Sequence, residues 1–290
     1  MLKQYKLKSA NGYKMNVEVY NSANAVIEDC KKRSITSRSF QNMNDGNLGG
    51  NSSSFCGVES YDEALELLRD GYQPSVEKLK TELKNQFAGT GKRISFKNDI
   101  VGYAPVVPLA VMGVPESMIN SHIKPIKAKV VDVYYDGTFS WTVKSEDIIK
   151  TGCKVVSVIL QLEQQGYRFN LYQVQTYSDS SDADVMVVKL KDAAQPLDLK
   201  RVSFPLTHTA FFRVIGWDWY SKVPNGRYRS GYGHAAIHEN RINNKLTEIY
   251  KEMFGENAVY ISGNGLLNKG KDGEKYLEEV FTNAKSNNNK

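Results

Sequence analysis

These 290 residues hold little of what staples, exports or anchors a chain. Cysteine is scarce. Cys30, Cys56 and Cys153 are odd in number and far apart, which excludes a disulfide scaffold or a zinc knuckle and fits a reducing compartment. Long apolar runs are missing: stretches such as Val155 to Leu160 fall far below the roughly 18 residues of a bilayer span. The opening Met1-Leu2-Lys3-Gln4-Tyr5-Lys6 has neither the apolar core nor the small-residue cleavage site of a secretory leader. A cytoplasmic location with no membrane partner is therefore expected. No Walker-type phosphate loop and no dinucleotide fingerprint occurs, so no nucleotide cofactor is indicated. No Ser or Cys nucleophile stands in a recognisable setting. No catalytic residue is assigned, and a binding role is favoured over an enzymatic one.

What is present is ordinary in amount and uneven in placement. Apolar residues make up 41% and charged residues 24%, as in a soluble globular chain, and the length allows one large domain or two modest ones. The net charge of +6 comes from 38 basic and 32 acidic residues. Between Asp198 and Ala235 six basic residues face two acidic ones, so an anionic partner is worth considering there.

Residues 1–120 read as an N-terminal α+β extension. Lys14 to Tyr20 alternates like a strand, Ala23 to Arg33 suits a short helix, and residues 44–54 (NDGNLGGNSSS) form a flexible loop. Ser60 caps a helix that Gly71 stops, and Val76 to Phe87 repeats the pattern, giving a helical hairpin. Gly102 to Asn120, broken by Pro105, Pro108 and Pro115, reads as a connecting segment buried on the core, with a binding loop as the alternative.

The central stretch is Lys127 to Lys191. Val130, Val131 and Val133 mark an interior strand over Ala128–Tyr135. Ile148, Gly152, Val155, Val156, Ile159 and Leu162 then share one face of a helix capped by Ser145 and ended by Gly166. Strands over Arg168–Tyr177 and Asp184–Leu190 follow, the first parallel to its predecessor and the second returning antiparallel. Helices over Asp198–Ser203 and Thr209–Tyr220, parted at Pro205, a helix over His238–Phe254, a strand over Ala258–Ser262 and a helix over Gly273–Ala284 complete the order. The final residues 286–290 are expected to be disordered.

The turn after the first of these strands is Asp136-Gly137-Thr138-Phe139-Ser140. A strand ending in Asp-x-Thr-x-Ser, an amphipathic helix, a hairpin and further helix–strand units resemble the von Willebrand factor A (VWA) domain over residues 127–285. The resemblance implies an α/β fold: a layered, Rossmann-like, mostly parallel sheet with one antiparallel edge strand. It also implies a divalent cation, Mg²⁺ or Mn²⁺, held by Asp136, Thr138 and Ser140, and a protein partner, such as a AAA+ ATPase, bound at the carboxyl edge of the sheet. One departure is plain: after Val259-Tyr260-Ile261 come Ser262-Gly263-Asn264, with no carboxylate where the family supplies an Asp. Phe55-Cys56-Gly57, Gly113-Val114-Pro115-Glu116-Ser117-Met118 and Phe204-Pro205-Leu206-Thr207-His208 resemble landmarks of an uncharacterised bacteriophage and prophage family. That implies a host bacterial cytoplasm and brings no activity.

The leading expectation is thus a phage- or prophage-encoded interaction module, binding its partner at that edge with or without the cation. An alternative is nucleic-acid binding or processing through residues 222–234, where Lys222, Arg227 and Arg229 can pair with phosphate while Tyr228 and Tyr232 stack on bases. Metal-dependent phosphoryl chemistry with Asp132 and Asp136 is a third reading, although four residues of strand separate these by about 13 Å. His234 and His238 have helical ligand spacing but lack the glutamate of the usual motif. His208, before the apolar Ala210-Phe211-Phe212, is a candidate base or a core histidine.

Overall fold

The computed structural model describes residues 3–8, 14–34, 53–87, 96–121, 129–178, 182–223, 255, 258–273, 275–277 and 279–281. Two compact units emerge, Met1–Thr81 with Lys129–Lys290, and Glu82–Ala128.

In the larger unit, period-two alternation builds one mixed sheet. The strands are β1 (Lys3–Lys8), β2 (Lys14–Tyr20), β6 (Lys129–Asp136), β7 (Tyr167–Ser178), β8 (Asp182–Lys191) and β9 (Val259–Ser262), in the order β1-β2-β8-β7-β6-β9. Pairs β6–β7, β6–β9 and β2–β8 are parallel; β7–β8 and β1–β2 are antiparallel. Val131, Val133 and Tyr135 of β6 join one buried cluster while Tyr134 joins another, as a strand covered on both faces requires. The first cluster takes in α1 (Ala23–Lys32), α3 (Tyr61–Asp70), α6 (Ser145–Gln164), α7 (Leu199–Thr207), a π-helix at Phe211–Gly216 and α8 (Trp217–Ser221). Short helices α2 (Ser53–Cys56) and α9 (Gly263–Asn268) and the start of α4 (Gln73–Phe87) complete it, and the described residues from 273 to 281 are mostly helical.

The βαβ unit follows the spacing read from sequence. Ile148, Gly152, Val155, Val156, Ile159 and Leu162 are all buried on α6. Gly152 is required by close approach: a Cβ there would run into the backbone carbonyl of Leu206 on α7. The cap of α3 is also as expected. Ser60 Oγ accepts the Glu63 N–H at 3.1 Å, and Gly71 ends the helix at φ +79°.

Five expectations need correction. The antiparallel strand β8 is no edge, because β2 pairs with it in parallel and β1 extends the sheet further. Residues 1–120 are not a separate extension: Val26, Ile27, Cys30, Tyr61 and Ala64 lie in the main core, since β2 carries its helices onto the sheet. Ser145 is the first helical residue of α6, not its cap; Lys144 holds that position without a side-chain bond. Pro205 does not divide two helices but sits inside α7, which ends at Thr207 with His208 as its cap. Last, Gly102–Asn120 is not buried. It contributes β4 (Ala104–Pro105), α5 (Val107–Val111) and β5 (Met118–Ser121), paired with β3 (Phe96–Asp99) in the sheet β3-β5-β4, and no residue from 97 to 120 is buried. The helix expected over His238–Phe254 and the loop 44–54 lie outside the described residues, as do 286–290.

Candidate functional site

The carboxyl ends of β6, β7 and β9 meet at one edge of the sheet, where register puts Asp136 opposite Val174 on one side and Ser262 on the other. Alternation would leave Asp136 on an apolar face, and it is buried, only 2% exposed. Its carboxylate is compensated from three directions. Oδ1 accepts the Thr138 N–H at 2.9 Å; Oδ2 accepts the hydroxyls of Thr176 at 3.0 Å and Tyr260 at 2.6 Å. Burial still pushes its pKa above the ordinary carboxylate value, with these hydrogen bonds pulling the other way. Thr138 is buried too, its Oγ1 accepting the Thr176 N–H at 2.9 Å. Ser140 lies at the rim, with its Oγ 3.0 Å from Thr142 Oγ1.

The three oxygens expected to ligate a cation are thus each engaged in hydrogen bonds within the protein. Those of Asp136 and Thr138 turn inward and cross-link β6, β7 and β9, while that of Ser140 bonds within its own turn. A Mg²⁺-like ion asks for near-octahedral oxygen ligands, commonly including one or two carboxylates. Among the described residues no group of three His, Cys, Asp or Glu could hold a metal. These residues do not fit the cation that the Asp-x-Thr-x-Ser pattern implies. Asp132 is spent elsewhere, accepting the Asn170 amide at 2.7 Å.

The same turn carries a feature that the sequence reading missed. Phe139 anchors it in the core at 1% exposure, packed so closely on Gly263 that a Cβ there would lie 2.7 Å from the ring. Two residues on, Trp141 is 58% exposed. Its backbone is held by Arg213 of the π-helix. One guanidinium nitrogen donates to the carbonyls of Val143 at 3.0 Å and Trp141 at 3.4 Å, and the other donates to Phe55 at 2.7 Å. Arg213 is buried, lies 4.0 Å over the Phe55 ring, and is lowered by burial to about 10, which leaves it charged at neutral pH. The signal was a tryptophan in a polar turn, Ser140-Trp141-Thr142, directly after a strand.

The other candidates separate. Lys222 is 3% exposed and pairs with Asp218 at 2.6 Å, so it is not the anion contact it was expected to be. Arg227, Tyr228, Arg229 and Tyr232 lie outside the described residues, as do His234 and His238. Arg213 and Lys222, two of the six basic residues counted between 198 and 235, are thus internal. His208 caps α7, 8% exposed, its Nδ1 accepting the Ala210 N–H at 3.2 Å and its ring edge-on to Tyr72 at 4.6 Å. Burial pushes its pKa down to about 4.

With this geometry in place, the family match gives extent. Residues 6–285 match the model of a domain of unknown function, DUF7192. The chain belongs to that family. No curated protein and no solved structure matches it. The smaller unit, all but the ends of the larger one, and the Asp136–Trp141 turn fall inside the family's span, whose description names no chemistry.

Proposed function

We propose that this member of the family is an interaction module that holds a protein partner at the carboxyl edge of its sheet, with Trp141 as the anchor. The observation that carries the reading is a large aromatic side chain presented to solvent on a turn whose carbonyls are clamped by a buried guanidinium. Rigid aromatic anchors dominate protein interfaces because they bury much area at little entropic cost. A π-helix supplying the clamp is a local irregularity of the kind that recurs at functional sites.

A VWA-like core is part of this proposal. It is supported by the run β8-β7-β6-β9 with β8 reversed, and by α6 crossing from β6 to its parallel neighbour β7. The phage or prophage setting and a AAA+ ATPase as partner belong to the same reading. No cation step is included, because Asp136 already has three internal donors. Partner capture is therefore expected to persist in chelator.

The test compares wild type with Trp141→Ser and Val130→Ser, the latter altering an apolar residue that is 52% exposed at the other end of β6. A partner captured from the encoding cells, purified and titrated back, is expected to bind Trp141→Ser about 30-fold more weakly, the loss of roughly 2 kcal/mol typical of a hot spot. Val130→Ser should bind as wild type does. Equal binding by Trp141→Ser refutes the proposal. Retention of nucleic acid, with affinity falling steeply in salt, would favour the alternative at residues 222–234.

A further inference from the structure

The smaller unit carries most of the exposed large hydrophobic residues among those described. Ile100, Val101, Tyr103, Val107, Val111 and Met112 are 62 to 82% exposed. From Ile100 to Pro115 there is no charged side chain. None of residues 97 to 120 is buried, so these residues of the three-stranded sheet and its five-residue helix supply no core of their own. Small sheets need a covered apolar face for stability, and soluble monomers rarely leave so much of one in water.

We propose that this surface is a self-association site, on which the 100–115 segment of one copy docks against the same segment of a second copy. Three observations select that occupant. A two-fold contact brings each patch onto itself, which any net charge would oppose; this patch has none, the charged residues of the unit lying before and after it. The exposed fractions of these residues amount to about 700 Å² per copy, within the range that one partner of a standard stable interface contributes. On the β4 side the contact is also one of side chains. Pro105 blunts the strand edge at β4, so strand addition there is blocked, while Val107 and Val111, four apart on α5, present a common face.

The experiment uses the full chain. Light scattering after size exclusion is expected to give a dimeric mass for wild type at about 50 μM and a monomeric mass for Val107→Asp/Val111→Asp, with at least a tenfold loss of self-affinity. Circular dichroism of the double variant should match wild type, because both positions are already in solvent. A second variant guards against misfolding: Cys30, Cys56 and Cys153 are all buried, so Val111→Cys supplies a single accessible thiol among the described residues. A bis-maleimide should join it into a covalent dimer. A monomeric wild type at that concentration overturns the proposal, as does a dimer unaffected by the two aspartates. Co-sedimentation of a monomeric wild type with phosphatidylcholine–phosphatidylglycerol vesicles would likewise overturn it, assigning the patch to a lipid surface.

Discussion

Replacing Asp136 by alanine separates a structural carboxylate from a metal ligand. The wild-type side chain accepts from Thr138 N–H, Thr176 Oγ–H and Tyr260 O–H, all in or beside the closed carboxyl edge. Each buried donor left unpaired costs about 1–3 kcal/mol. The two hydroxyls can swing toward other acceptors, but the Thr138 N–H is fixed by the turn. A loss of about 3–5 kcal/mol follows, a large fraction of the ~5–15 kcal/mol that holds a typical domain. Asp136→Asn keeps an oxygen for Thr138 and offers its amide to the two hydroxyls as acceptors, so its cost should be nearer 1 kcal/mol.

The pH dependence adds a signature. Burial raises the pKa of Asp136 above 3.8, so the folded protein holds that proton more tightly than the unfolded chain. The associated stabilisation is fully present below 3.8 and is lost as pH rises through the folded pKa. The deficit of Asp136→Asn relative to wild type should therefore be widest in acid and narrow toward neutrality. Urea unfolding followed by tryptophan fluorescence at several pH values, with Mg²⁺ and with chelator, measures all of this. An alanine variant within 0.5 kcal/mol of wild type would refute the argument. So would a Mg²⁺-dependent stabilisation of wild type that the variant lacks, since it would put the carboxylate on a cation.

Two further outcomes follow from buried groups. His208, lowered by burial from 6.5 to about 4, contributes stability that is present above 6.5 and lost as pH falls toward 4, about 3 kcal/mol in all at ~1.4 kcal/mol per pH unit. The stability gap between wild type and His208→Asn should change across that window, and a pH-independent gap in urea unfolding would refute it. Arg213→Met leaves the Trp141, Val143 and Phe55 carbonyls without their donor, so stability should fall by a few kcal/mol and Trp141 should become more open to iodide quenching. Unchanged quenching would show that the guanidinium does not fix the turn.

The βαβ unit was legible because its code is local: β-branched alternation, a 3.6-residue apolar face and a glycine stop lie within forty or so residues. The place of β2 was not. Lys14–Tyr20 reads as a strand from its own residues, but nothing local says that it pairs with Asp182–Val188, far along the chain. The Asp136 turn was misleading for a related reason. A pattern of alternate oxygens cannot tell inward from outward, and what decides it here is Tyr260 and Thr176, donors brought in by neighbouring strands. Pro205 misled in the opposite direction. Proline lacks a donor, but in the short helix Leu199–Thr207 the loss is one bond, outweighed by burial of Phe204 and Leu206 in the core.

The exposed apolar segment shows most clearly what periodicity leaves out. Pro, Gly and aliphatic residues in alternation read as buried, because apolar side chains usually end inside. That inference presumes that the chain supplies its own cover. Here residues 100–115 lie in a unit with its own strand pairing, and no residue from 97 to 120 is buried. An uncharged sequence is therefore evidence that a surface is to be dry, not evidence of which molecule dries it. Trp141 follows the same logic on a smaller scale. Its neighbours Ser140 and Thr142 mark a solvated turn, yet the buried Arg213 holds that turn's carbonyls in place. A buried guanidinium that bonds the carbonyls of Trp141 and Val143 is a costly way merely to join β6 to α6. In the proposed reading, a turn whose backbone is already fixed at Trp141 would spare a partner the cost of ordering it.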